Sequence, residues 1–223
     1  MSVPLIEICE LSRLVPEADR PLLDQLNLTI AAGDRLGIAG ASGSGKTTLM
    51  RAIAALDPVE GGTLKFQGNL VGDLPAFRRQ VIYLHQRPAM MAGTVRDNLQ
   101  LPFSLASSQG SFDELRVVKW LEPLGKSAAL LEQAVDTLSG GEQQIVALLR
   151  AIQLDPVVLL LDEPTASLDR ETVANFERLV DSWFGEKSVR ALVWISHDDQ
   201  QRERMTNRVW EIAEGRIVEG KNQ

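Results

Sequence analysis

Apolar and polar residues alternate through "PLIEICEL" and again through "LNLTI", and this period of two predicts a pair of half-buried β-strands. The stretch before the second strand, "VPEADRP", is polar and reads as a loop. A third apolar run, "DRLGIAG", ends in glycines and gives way to "KTTLMRAIAAL", where apolar residues recur at helical spacing. The local order there is strand, glycine loop, helix. "GGTLKFQG" reads as a strand bounded by glycines, and "QVIYLHQ" as a buried strand with a polar end.

Between Gln86 and Leu138 the period changes. "GTVRDNLQLPF", "SFDELRVVKWLEPL" and "KSAALLEQAV" carry helix-like spacing and no clear strand, which predicts a helical subdomain inserted over approximately 87–138. The remainder returns to alternating elements: the helix "SGGEQQIVALLRAIQL", the strand "VVLLL", the helix "RETVANFERLVDSWF" and the strand "VRALVWIS". A short helix follows, then a closing pair of strands around "EG" in "VWEIAEGRIVEG". Strands and helices in this order, with apolar runs free of polar alternation, predict an α/β protein with a buried, largely parallel sheet, as one domain over 1–223.

Composition narrows the partners. The 223 residues are 44% apolar, enough for one sizeable core, and the formal net charge is −7. That balance argues against a nucleic-acid partner, because sequence-independent binding rests on clustered Lys and Arg. An anionic ligand remains open, since backbone N–H groups can hold one locally. The single cysteine, Cys9, cannot form an internal disulfide, so a reducing cytosol is the expected compartment and strand packing its expected role. The start "MSVPLIEICELSR" lacks the pattern of a signal peptide, and no apolar run reaches the ~18 residues that span a bilayer. Work at a membrane would need an embedded partner.

"GASGSGKT" has the phosphate-loop spacing G-x-x-x-x-G-K-[ST] between a predicted strand and helix. Gly40, Gly43 and Gly45 let the backbone curl around phosphates, with Ala41, Ser42 and Ser44 completing the loop. The helix that follows adds the positive end of its dipole. Lys46 would neutralise phosphate charge, Thr47 would ligate Mg²⁺, and Thr48 could reach the α-phosphate. In "VVLLLDEP" an apolar strand ends at Asp162, which puts a carboxylate at the sheet's C-terminal edge, where open α/β sheets bind ligands. Asp162 would hold Mg²⁺ through water, and Glu163 could orient or deprotonate an attacking water. "LSGGEQQ" opens another helix with Ser139, Gly140 and Gly141, a second device suited to an anion. An ordinary serine cap would account for Ser139 but not for the paired glycines.

In order, the phosphate loop, "LSGGE", "LLLDEP", "SLD" and "ISHD" resemble the nucleotide-binding domain of ABC (ATP-binding cassette) proteins, over essentially the whole chain. The resemblance implies a P-loop NTPase core with a mostly parallel sheet, an antiparallel β part near the N-terminus and an inserted helical subdomain. It implies ATP and Mg²⁺ as ligands, and a second nucleotide-binding domain paired head to tail, so that "LSGGE" grips the γ-phosphate held by the partner's phosphate loop. By the same resemblance Gln86 reaches Mg²⁺ and the attacking water. His197 contacts the γ-phosphate and aligns Glu163. Ser167, Leu168 and Asp169 match the loop that crosses the dimer interface. His85 matches no family role and reads as a packing or surface residue.

Two departures stand out. Relatives place an aromatic residue ahead of "LNLTI" to stack on adenine, whereas that position here falls near Leu14 or Val15. An aliphatic side chain would cover the base less well, or Arg13 could stack on it by a cation–π contact. Ile145 stands where the family usually has arginine, which either lowers activity or repacks a helix. Glu142, where glutamine is common, occurs in many relatives.

The absence of spans, of paired cassettes and of a C-terminal regulatory domain predicts a separate ATPase subunit docked on a membrane permease at the cytoplasmic face. "RPAMMAGTVRDNLQLPF" looks most like the subunit of small bacterial exporters of iron and metal homeostasis, with phosphate and amino-acid importer subunits sharing parts of it. Met90 and Met91 either receive the permease or fill a core. A small-molecule kinase would share the phosphate loop but not "LSGGE" or His197. A soluble ATP-switched regulator would keep the paired sites without a permease.

Overall fold

The alternating N-terminal stretches are β1 (Ile6–Arg13) and β2 (Leu23–Ile30), and β3 (Arg35–Ala39) leads through the glycine loop into α1 (Lys46–Ile53). β4 (Gly61–Phe66), β5 (Asn69–Leu70), α2 (Leu74–Gln80) and β6 (Val81–Leu84) follow. Next come α3 (Val95–Ser104), α4 (Glu114–Leu121), α5 (Gly140–Ile152), β7 (Val158–Asp162) and α6 (Arg170–Gly185). β8 (Ala191–Ile195), α7 (Asp199–Met205), β9 (Arg208–Ala213) and β10 (Arg216–Glu219) complete the chain. This computed structural model describes residues 3–14, 20–105 and 110–219.

The described residues divide into two units, the first drawn from 1–83, 157–163 and 188–223, the second from 84–156 and 164–187. In the first unit β2, β1, β4 and β5 form an antiparallel sheet in that order, with Ile6 opposite both Ile30 and Phe66. The second sheet runs β10-β9-β3-β8-β7-β6; β3 pairs parallel with β8 and β9, and β7 with β8, while β9 and β10 form an antiparallel hairpin. The α1 residues Leu49, Met50 and Ile53 are buried in one cluster with Ile6, Ile8, Leu36, Ile38, Leu160 and Val193. Every residue of β7 and β8 is buried, which is why these strands read as unbroken apolar runs rather than alternating ones.

The second unit is helical among its described residues, apart from one backbone bridge between Thr94 and Ala134. A capping box at Thr94 and Asp97 starts α3. The buried Asn98 amide holds the preceding loop by donating to Met91 O at 2.8 Å and accepting from Met91 N–H at 2.8 Å, and Arg150 donates to Ala89 O at 2.9 Å. The helical reading of "KSAALLEQAV" is corrected: residues Ala128–Glu132 and Val135–Thr137 are two short 3₁₀ turns. Val95 N–H bonds Gln133 O and Val135 N–H bonds Gly93 O, so pairing with the segment at 93–95 keeps Gln133 and Ala134 extended and separates the two turns. The helix "SFDELRVVKWLEPL" also ends early, at Leu121, with a 3₁₀ turn through Pro123.

Candidate functional site

The phosphate loop follows β3 in the first unit. Gly43 has φ +78° with open space where a Cβ would lie, so its backbone conformation is what requires glycine. At Gly40, φ +142°, a Cβ would sit 2.5 Å from the Ile212 carbonyl oxygen. Gly45 precedes α1 in the left-handed region, leaving the helix start without a side-chain cap, and Lys46, Thr47 and Thr48 form its first turn. Lys46 Nζ folds back onto Gly40 O at 2.8 Å and Ala41 O at 2.9 Å. Ser44 Oγ is buried with no hydrogen-bond partner among the described residues. An open helix start, an orphaned buried hydroxyl and an ammonium satisfied only by loop carbonyls fit a bound polyphosphate, which would supply partners to all three.

Asp162, 3% exposed, ends β7. Its Oδ2 accepts from Thr47 Oγ1 at 2.7 Å and from Tyr83 OH at 2.9 Å. Hydroxyl and carboxylate oxygens in contact, beside a phosphate loop, are the donor set a hard divalent cation takes. Tyr83 was not among the expected site residues. Its signal was a phenol inside a buried strand, which calls for a polar partner. Burial first, and then the Asp162 carboxylate, push the phenol above its usual range, so it stays a donor.

β7 and β8 pair in register, Asp162 opposite Ile195, so the segments leaving both strands emerge side by side. Glu163 N–H donates to Ile195 O at 3.0 Å, and His197 Nε2 lies 2.7 Å from Glu163 Oε1. Glu163 holds φ +48°, a left-handed conformation unusual for a side chain of its size. His197 is exposed while Glu163 is half-buried, so the imidazole stands between the carboxylate and solvent.

The other expected residues lie in the second unit. Gln86 is exposed just beyond β6, and its carbonyl accepts from Gln144 Nε2 at 3.2 Å. Its neighbour His85 is also exposed, with Nδ1 accepting from Arg87 N–H at 2.9 Å. Ser139 caps α5 in a reciprocal box with Glu142. The two glycines differ. A Cβ at Gly141 would meet Ser167 O and Leu168 Cδ2 at 2.9 Å, so packing within the chain requires that glycine. At Gly140, which is exposed, the nearest atoms stand at 3.4 Å, an ordinary contact. Asp169 caps α6, accepting from Glu171 N–H and Thr172 N–H at 3.0 Å each. Ile145 is buried on α5.

Arg13 is committed elsewhere: its guanidinium binds Glu60 at 2.8 Å. That ion pair fixes the guanidinium by its edge, and Leu14 beside it is exposed. Val15 lies outside the described residues. Met91 is 59% exposed and is not core filler. No helix among the described residues is long and apolar enough to cross a membrane.

Residues 23–166 match the family model described as ABC transporter. The chain is 34% identical over 200 residues to the probable iron export ATP-binding protein FetA of Escherichia coli (strain K12), covering 89% of this chain and 87% of that one. It is 32% identical over 198 residues to the tungstate uptake system ATP-binding protein TupC of Peptoclostridium acidaminophilum, covering 89% and 90%. Its fold is similar to the dimeric bacterial ABC transporter cassette MJ0796, with a TM-score of 0.85, 26% identity, and 98% and 99% of the two chains covered.

Proposed function

Because this chain belongs to the ABC transporter family and is an ATPase cassette of that family, we propose that it pairs with a second cassette around two ATP molecules and so drives a separate membrane permease. The observation that carries the pairing is Gly140. A Cβ there would make only ordinary contact with Ser167 among the described residues, so packing does not call for glycine, and its absence leaves room for an anion to reach the backbone at the start of α5. The occupant is the γ-phosphate of ATP bound to the partner's phosphate loop, with the Ser139 hydroxyl as a further donor.

In this reading Lys46 exchanges the Gly40 and Ala41 carbonyls for phosphate oxygens, a charge-assisted gain over neutral hydrogen bonds. Thr47 and Asp162 are the groups that would hold Mg²⁺, with Gln86 as a further oxygen donor; the ion, when bound, neutralises charge on the β- and γ-phosphates. Glu163 takes the proton of the attacking water. His197, whose Nε2 lies 2.7 Å from Glu163 Oε1, fixes the direction in which its carboxylate faces, and when that bond opens the same N–H can be donated to the γ-phosphate. Positioning and charge stabilisation supply most of the catalysis in phosphoryl transfer.

The similarity to FetA, at nearly equal length, favours export of iron or a related metal; the similarity to TupC is what supports an importer as the second reading. Exposed Met91 and Leu115 in the second unit offer apolar surface to a permease, which would hold the chain at the cytoplasmic face of the membrane. The Glu163→Gln variant should bind ATP·Mg²⁺, hydrolyse it at least a hundredfold more slowly, and accumulate as a dimer in sedimentation. Captured with ATP from detergent-solubilised host membranes, it should bring down a multi-span protein. Nucleotide binding without a dimer would refute the shared site, and only soluble companions would refute the permease.

A further inference from the structure

The capping box at α5 has a third member that a capping box does not need. Glu142 Oε2 accepts from Ser139 N–H at 3.0 Å and from the Ser139 hydroxyl at 2.9 Å. The other carboxylate oxygen, Oε1, accepts from Lys126 Nζ at 2.8 Å. Lys126 lies 16 residues earlier, beyond the two 3₁₀ turns, so no helical spacing brings it there. The pair is sheltered, with the lysine side chain 31% exposed and the glutamate 22%.

This arrangement creates a conflict and contains its remedy. As it stands, the Ser139 hydroxyl spends its one proton on Glu142 and cannot offer it to a phosphate. The carboxylate also places a full negative charge at the same helix end that must receive an anion. Lys126 answers both. It cancels the charge, and it keeps the carboxylate satisfied when the hydroxyl turns away, leaving Oε2 with the Ser139 N–H.

We propose that Lys126 is a positioning residue for the signature serine, holding Glu142 so that the Ser139 hydroxyl is released to the γ-phosphate of ATP on a partner chain. This rests on the shared-site reading above. The strong depression of the Glu142 carboxyl, led by the lysine hydrogen bond, agrees with a pair that is charged throughout the neutral range.

The test uses the full chain carrying Glu163→Gln, with ATP-driven dimerisation followed by sedimentation. First-chain ATP binding is measured separately, at protein concentrations too low to dimerise. Adding Lys126→Met should raise the ATP concentration for half-dimerisation about tenfold while first-chain binding stays unchanged. Lys126→Arg should restore it. Glu142→Gln keeps an acceptor for Ser139 N–H and removes the charge, so on that background Lys126→Met should have no effect on dimerisation. Undiminished dimerisation of Lys126→Met, or an equal loss on both backgrounds, overturns the proposal. A lysine that only braces the fold would lower the melting temperature without this pattern. Should Lys126→Met fail to fold, the comparison of Lys126→Arg and Lys126→Gln on both Glu142 backgrounds decides in the same way. A parent Glu163→Gln chain that never dimerises sinks the shared-site reading first, before any Lys126 variant is made.

Discussion

Neighbouring glycines can be demanded by different things, and Gly140 and Gly141 separate the demands. A methyl group at Gly141 presses on the Ser167 carbonyl oxygen, so Gly141→Ala should cost about 1–3 kcal/mol of stability. Gly140→Ala meets no such contact and replaces glycine at a helical position, which should leave stability level or raise it by up to about 1 kcal/mol. Yet Gly140→Ala should be the more damaging to ATP-driven dimerisation. Thermal melts and sedimentation of the two variants check both halves, and a Gly140→Ala chain that dimerises normally would remove the main support for the shared site. Sequence alone singled out the glycine pair but could not divide it, because the division depends on where 167–168 runs. The same limit hid Tyr83, 79 positions from the carboxylate it touches, and Lys126. It also hid the partner of Arg13, Glu60, 47 positions away.

Elements were most legible where a long period or an unbroken apolar run met a strong boundary signal. β7 and β8 are fully buried, and α5 and α6 begin at side chains that cap them, so pattern and structure agree there. Residues 69–80 gave no readable period because β5 is two residues long and α2 only seven, with one buried side chain. Residues 128–137 did give a helical period, but its source is two turns burying Leu130, Leu131 and Val135 around an extended joint. The α5 cap carries a pH signature of its own. The Glu142 carboxyl is held down to about 2 in the fold against an ordinary 4.5, so its stabilising contribution is complete above 4.5 and is lost as pH falls through that interval. The melting-temperature gap between the parent and Glu142→Gln should therefore shrink on acidification across that range, and a gap that stays constant would mean the pair adds no charge-dependent stability.

At the scale of the whole molecule, the phosphate loop belongs to one unit and the α5 signature to the other. If every ATP is held by one element from each of two chains, damage to the two can be complementary. Lys46→Ala and a bulky replacement of Ser139 should each abolish hydrolysis alone. Mixed in equal amounts they should regain part of it, because a mixed pair contains one site with both halves sound. Silence on mixing, with both variants folded, would mean the sites are not shared. The left-handed backbone at Glu163 reaches further still, into the fate of the chain under selection. That conformation costs about 1–2 kcal/mol for a side chain such as glutamate, and glycine escapes it. Selection for heat resistance and selection for turnover would therefore pull position 163 in opposite directions.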